Sequence, residues 1–234
     1  MTLSPEQMQR VYAIQTSMAE KFKNTPKEGK RIEYRGTDFF VYPTVFWPGE
    51  DSKALIENYV INSREEVCDV CTGSGVIACY SAWKGARRVV ALDINPNAVM
   101  NTLVNATRHM LEEIIEPRVS DVFSALRPGE QFDVVTMNSP FTEHLAAEHA
   151  ERGCWDQDLH VQRRFFEDLN GVLKPNGRAY VTQANFGAIE NMFERADKSG
   201  YYVREIGRNH IDDLRTFYAF ELKRKSDVVQ ELAR

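Results

Sequence analysis

No run of apolar residues in this 234-residue chain is long enough to cross a bilayer. Met1 leads into a polar, Gln-containing segment and not into a secretory leader, so the cytoplasm is the expected address and no membrane partner is expected. No repeats or low-complexity tracts interrupt the sequence, which argues against a solenoid and against disorder. Charge of one sign is also lacking: the net charge of −5 gives no general attraction to polyanions. Nucleic acid binding would therefore need a local basic patch. Cysteine is sparse. Cys68 and Cys71 form a C-x-x-C, but no second ligand pair follows and the pair precedes a glycine loop, so it reads as structural and not as a redox or zinc centre. Cys79 and Cys154 are isolated, and no disulfide is expected. His144 and His149 lie near Glu143 and Glu148 at the spacing of a solvated helix face, so no metal site is expected either.

What is present is an ordinary globular composition, 43% hydrophobic and 27% charged, in a chain long enough for a full core. Residues 1–35 read as an N-terminal helix and a basic connector. Ser4, Pro5 and Gln7 have the spacing of a capping box, and Met8, Val11, Ile14, Met18 and Phe22 recur on one face. That face predicts packing on the flank of the main domain, with a lid over a substrate pocket as the alternative. Residues 36–225 form the main domain. Strands are expected at 39–42, 67–71, 88–92, 118–121, 132–137 and 177–183, and helices at 51–60, 76–83, 97–111, 160–173 and 189–198. Residues 202–206 and 216–222 look like a closing antiparallel pair, and the tail, 226–234 with the residues just before it, reads as a frayed surface segment. Alternating βα units predict an α/β fold: a doubly wound, Rossmann-like, mostly parallel sheet of about seven strands with an antiparallel C-terminal strand. Such sheets bind ligands at the carboxyl ends of their strands.

The strongest constellation begins at Asp69-Val70-Cys71-Thr72-Gly73-Ser74-Gly75, where a hydrophobic strand runs into a small-residue loop opening a helix. Glycine lets the backbone approach a ligand, and a helix start offers free N–H donors. Asp93, followed by Ile94, ends the next strand, where an acid can grip ribose hydroxyls. Both features also suit a nicotinamide dinucleotide. The separating features come later. Asp121, followed by Val122, ends the third strand, where a carboxylate can bond an adenine amino group. Asn138-Ser139-Pro140-Phe141 then follows the strand at 132–137. An amide or exocyclic amine is a poor nucleophile because its lone pair is delocalised. An asparagine oxygen and the next backbone carbonyl can accept its two hydrogens while an aromatic ring packs on the planar group, a gain by positioning and electrostatics.

Taken in order, Trp47-Pro48-Gly49-Glu50-Asp51-Ser52, the glycine loop, Asp93, Asp121, Asn138-Ser139-Pro140-Phe141 and Leu173-Lys174-Pro175-Asn176-Gly177 resemble the HemK-like N-methyltransferases. That group includes the release-factor glutamine methyltransferases and belongs to the class I S-adenosylmethionine-dependent superfamily. The resemblance implies S-adenosylmethionine as cofactor. It implies Ser52, Asp69 and the backbone at Cys71, Gly73 and Gly75 at the methionine end, Asp93 and Ile94 at the ribose, and Asp121 and Val122 at the adenine. Asn138, Ser139, Pro140 and Phe141 would form the catalytic loop, with Asn138 between cofactor and acceptor and Phe141 stacking on the acceptor. Two departures from the family pattern stand out: Cys71 stands where glycine is usual, and in the Asn138 loop Ser139 and Phe141 replace a proline and a tyrosine. The bulky helical N-terminal domain of bacterial release-factor enzymes has no counterpart.

These departures, with the charge balance, favour a small-molecule acceptor bearing an amide, amidine or amino group. A protein glutamine comes second and RNA third; an NAD-binding oxidoreductase is the alternative from another class, and a catalytically silent partner protein the third reading. For RNA stands only the basic stretch of Lys21, Lys23, Lys27, Lys30, Arg31 and Arg35, interrupted by Glu28 and Glu33. Trp155, Asp156, Asp158 and His160 could line the acceptor pocket, though a histidine at a helix start is more often a structural partner. Phe165 and Phe166 read as core. The acceptor's identity, the oligomeric state and any need for an activating subunit are not legible.

Overall fold

The computed structural model describes residues 3–232. Helix α1 (Pro5–Lys23) starts at a capping box: the Gln7 N–H donates to the Ser4 hydroxyl at 3.2 Å, and the Ser4 N–H donates to the Gln7 side chain at 2.9 Å. Strands β1 (Lys30–Tyr34) and β2 (Thr37–Val41) then form a hairpin: β2 lies where a strand was expected at 39–42, and β1 falls in the stretch read as a polar connector. The connector reading weighed its charges. Ile32 and Tyr34 nevertheless alternate inward and pack on the core, which is a strand's period.

The remaining elements are α2 (Glu50–Ile56), β3 (Glu66–Val70), α3 (Val76–Trp83), β4 (Arg88–Asp93), α4 (Pro96–Arg108), β5 (Ile115–Val119), β6 (Phe132–Met137), α5 (His149–Arg152), α6 (His160–Val172), β7 (Leu173–Ala184), α7 (Ile189–Lys198), β8 (Tyr201–His210), β9 (Thr216–Arg224) and α8 (Lys225–Leu232). The third parallel strand thus ends before Asp121, because β5 pairs with Val89–Asp93 through Ile115–Val119. Residues 225–232, expected to fray, are helical.

The main sheet has seven strands in the order β5-β4-β3-β6-β7-β9-β8. It is parallel from β5 to β7, and β9 and β8 close it antiparallel. Alternate residues face opposite layers. Val67, Val89 and Val134 meet α2 and α3, while Cys68, Val90 and Val135 meet α6 and α7. The chain starts at β3, runs outward to β5, then returns to β6 on the other side of β3. Strand order reverses between β3 and β6, so the loops leaving these two strands diverge and open a crevice.

Two buried asparagines on α4 hold the hairpin to this sheet. Asn105 accepts from the Phe40 N–H and donates to the Phe40 and Ser74 carbonyls, all at 2.8 Å. Asn101 accepts from the Tyr42 N–H at 2.8 Å and donates to the Phe40 carbonyl at 2.9 Å. An edge strand is thereby satisfied by side chains instead of another strand, and Ser74 of the glycine loop is tied to the same network. Replacing Asn105 with leucine removes the acceptor of the part-buried Phe40 N–H and the donors to the Phe40 and Ser74 carbonyls, at a cost of about 2 kcal/mol. A melting temperature lower by roughly 4–8 °C is expected for a chain of this size, read by calorimetry. An unchanged melting temperature would remove this clamp from the description.

Candidate active site

The loop between β3 and α3 is built for close approach. Cys71, Gly73 and Gly75 all have left-handed backbone, with φ of 59°, 54° and 81°. Gly75 is required: a Cβ there would lie 2.9 Å from the Thr102 side chain on α4. Asp93, at the end of β4, turns back to this loop. Its two carboxylate oxygens accept from the Gly73 and Asn95 N–H groups, each at 2.9 Å. Burial raises its pKa, opposed by those two backbone donors. Each oxygen keeps a further lone pair for a ligand hydroxyl. Asp121 sits past β5 with both oxygens 3.0 Å from Nε2 of His160. His160, considered for acceptor contact, is thus the partner of the carboxylate expected at the adenine. Val122 beside it is buried with a φ of 51°.

One cavity of about 550 Å³ runs along these strand ends, a size that suits a drug-sized ligand or cofactor. Every residue expected at the site lines it except Asp69 and Gly75. Asp69 lies behind the loop, fully buried. One of its oxygens accepts from the Thr136 hydroxyl at 2.7 Å, the other has no partner, and burial pushes its pKa up to about 7. It supports the loop from within and does not form the cavity wall, because strand alternation turns it away from the crevice. Burial also raises the Cys68 and Cys71 thiols well above their ordinary range, so both are held protonated as weak nucleophiles.

The far end of the cavity is roofed by α1, through Val11, Ile14, Gln15 and Met18. The helix was expected on the flank. An apolar face has the same period in either place, and the distinguishing residue is Gln15, a buried amide within that face. Its Nε2 donates to the Thr142 hydroxyl and the Cys154 carbonyl, both at 3.2 Å, and its oxygen accepts from the Trp155 indole at 3.3 Å. Trp155 therefore anchors the roof. Asp156 caps α6 by accepting from the Val161 and Gln162 N–H groups at 2.9 and 3.0 Å, which gives it a structural task. His144 packs on Trp155, with ring centroids 5.0 Å apart. Among the described residues no group of side chains could hold a metal ion. The basic stretch is largely engaged within the protein: Lys23 pairs with Glu148, Arg31 with Asp38 and Arg35 with Glu57, while Lys21 and Lys30 lie 3.8 and 5.0 Å from the centre of the Trp47 ring.

Between the two ends stands Asn138, just past β6. Its Nδ2 donates to Asp51 Oδ2 at 2.8 Å and to Ser52 Oγ at 3.1 Å, and its Oδ1 accepts from the Thr182 hydroxyl on β7. Phe141 packs among Phe186 and Phe217, with centroids 6.3 and 5.9 Å away. Gly187 lets it do so, since a Cβ there would fall 2.6 Å from the Phe141 Cβ. Asp51, Thr182, Gln15, Phe186, Phe217 and Gly187 were not anticipated as site residues. Only Gln15, polar within an apolar helix face, carried a local signal.

The comparisons with known proteins agree with this fold. The family model for the methyltransferase small domain matches residues 44–205. A release factor glutamine methyltransferase from Koribacter versatilis is 41% identical over 185 residues, covering 77% of this chain and 61% of the relative. One from Clostridium acetobutylicum is 35% identical over 119 residues, covering 48% of this chain and 41% of the relative. The chain thus spans less than two thirds of the length of these relatives. Among solved structures, a 16S rRNA N2 G1207 methyltransferase from T. thermophilus, in complex with AdoMet and guanosine, superposes with a TM-score of 0.60 at 18% identity, covering 84% of this chain and 50% of that one; it shows the fold alone. No helix among the described residues is long and apolar enough to cross a membrane. The chain belongs to the methyltransferase small domain family, with S-adenosylmethionine as its cofactor.

Proposed function

We propose that this chain is an N-methyltransferase whose acceptor is the planar primary amide of a protein glutamine. The observation that carries the reading is the Asn138 amide, held by three side chains in the cavity wall between the Asp93 end and the Phe141 end. When bound, S-adenosylmethionine supplies an electrophilic methyl group on a sulfonium. Asp93 is placed to hold ribose hydroxyls, Asp121 with His160 to frame the adenine, and the loop at Cys71 and Gly73 to cradle the methionine end. Asn138 Oδ1 and the Ser139 carbonyl accept the acceptor's N–H groups, and the Phe141 ring packs on its plane. Positioning is the main contribution, because an amide nitrogen needs no strong base so much as a fixed line of approach. The roof of α1 limits water at that point.

The relatives named as glutamine methyltransferases favour a protein acceptor, and nothing among them supports the small-molecule acceptor expected from the sequence. The internal pairing of the basic stretch weakens the case for RNA. Incubation of the protein with labelled S-adenosylmethionine and cell extract tests the choice. Label is expected in protein and is expected to leave as methylamine on acid hydrolysis, as an N-methyl amide requires. Label confined to RNA or to small metabolites contradicts the glutamine assignment.

Three substitutions probe the parts separately. Asp93→Ala removes at least one charge-assisted hydrogen bond to ribose, so S-adenosylhomocysteine is expected to bind roughly ten- to a hundredfold more weakly by calorimetry. An unchanged dissociation constant removes Asp93 from the cofactor site. Asn138→Ala is expected to lower turnover by about two orders of magnitude or more, with cofactor affinity falling much less. Near-normal turnover would leave Asn138 a structural residue only. Gly187→Ala pushes the Phe141 backbone outward, and a loss of turnover on the order of tenfold or more is expected while cofactor affinity holds. Parent-like turnover in that variant would show that Phe141 need not sit where it does.

A further inference from the structure

Asn138 has four hydrogen-bonding positions: two N–H donors and two lone pairs on Oδ1. Asp51 and Ser52 take both donors, and Thr182 takes one lone pair. What remains is a single acceptor position. The side chain can therefore receive an N–H from a ligand and can offer none. Turning the amide over would reverse this, presenting donors to the ligand. The two hydroxyls would not prevent the turn, because Ser52 and Thr182 can each donate or accept. Asp51 is different: as a carboxylate it only accepts, and a turned amide would set its oxygen against that carboxylate.

Asp51 is also an expensive residue to keep. It is 5% exposed, burial raises its pKa, and among the described residues no cation pairs with it. Its place in the first turn of α2, where the Asp51 and Ser52 backbone N–H groups face the carboxylate, offsets part of that cost but does not account for the bond to Asn138. We infer that Asp51 is a positioning residue that locks the Asn138 amide with its oxygen available to the acceptor, so that the site selects N–H groups and rejects carbonyls. This rests on the reading of Asn138 as the acceptor-facing group, and it adds the residue that sets its polarity.

The test compares Asp51→Leu, which fills the volume without an acceptor, with Asp51→Asn, which keeps one carbonyl. Turnover is read as label transfer to extract protein, cofactor affinity by calorimetry with S-adenosylhomocysteine, and the Asn138 side-chain NH2 by 15N NMR, assigned by its loss in Asn138→Ala. In the parent the two NH2 protons are expected as separate signals protected from exchange. Asp51→Leu is expected to lose turnover by about a hundredfold with affinity within about threefold of the parent. Its Asn138 protons should exchange at least tenfold faster, and Asp51→Asn should recover at least tenfold of the lost turnover. Parent-like turnover in Asp51→Leu overturns the inference. So does an affinity loss as large as the turnover loss, which would make Asp51 a cofactor ligand, and so does Asp51→Asn performing no better than Asp51→Leu. If Asp51→Leu fails to fold, unprotected and averaged Asn138 protons in the parent suffice to overturn it. Normal turnover in Asn138→Ala would sink the amide reading instead, and the NMR signal would still decide whether the lock exists.

Discussion

The reversal of strand order between β3 and β6 is the constraint on which the site depends. Because the chain leaves these neighbouring strands in opposite directions, no helix connection fills the space above their ends. The glycine loop borders that space on one side and the Asn138 loop on the other. A sheet without this reversal would place the same two sequences side by side with no room between them. The left-handed backbone at Cys71, Gly73 and Gly75 and the return of Asp93 to the Gly73 N–H are local consequences of finishing one wall of that crevice.

The other wall is assembled from distant segments. Asn138 comes from β6, Asp51 and Ser52 from α2, Thr182 from β7, and the roof from α1 through Gln15. Buried polar contacts of this kind are costly if half satisfied, so they fix one arrangement of these segments. The polar face of the cavity is thereby preorganised without a ligand, which is what a reaction limited by alignment requires. Hydrophobic packing alone would leave the roof free to slide; the Gln15 contacts to Thr142, Cys154 and Trp155 set its register.

Much of this was legible in the sequence, for identifiable reasons. The central parallel strands were readable because both of their faces are buried, giving apolar runs such as Val89–Leu92, whereas β5, fully buried on neither face, was placed too late in the chain. The ligand loop was readable because glycine spacing and strand-terminal acids are local features. Of the β1–β2 hairpin, β2 was expected at 39–42, whereas β1 was missed because its charged residues face out and its inward positions are few. Asp69, expected at the methionine end of the cofactor, is fully buried on β3 and does not line the cavity. Asp51 and Thr182 were illegible for a deeper reason. Their meaning lies in pairs separated by 87 and 44 residues, and no local pattern records such a contact.

A crystal structure with bound S-adenosylhomocysteine tests the central claim most directly, that one cavity holds the cofactor at Asp93 and presents its sulfur to Asn138. The expected result has the ribose hydroxyls within hydrogen-bond distance of the Asp93 carboxylate. The sulfur would face Asn138, and open volume would remain between it and Phe141. A ligand seated elsewhere, or one whose sulfur points away from Asn138, contradicts it.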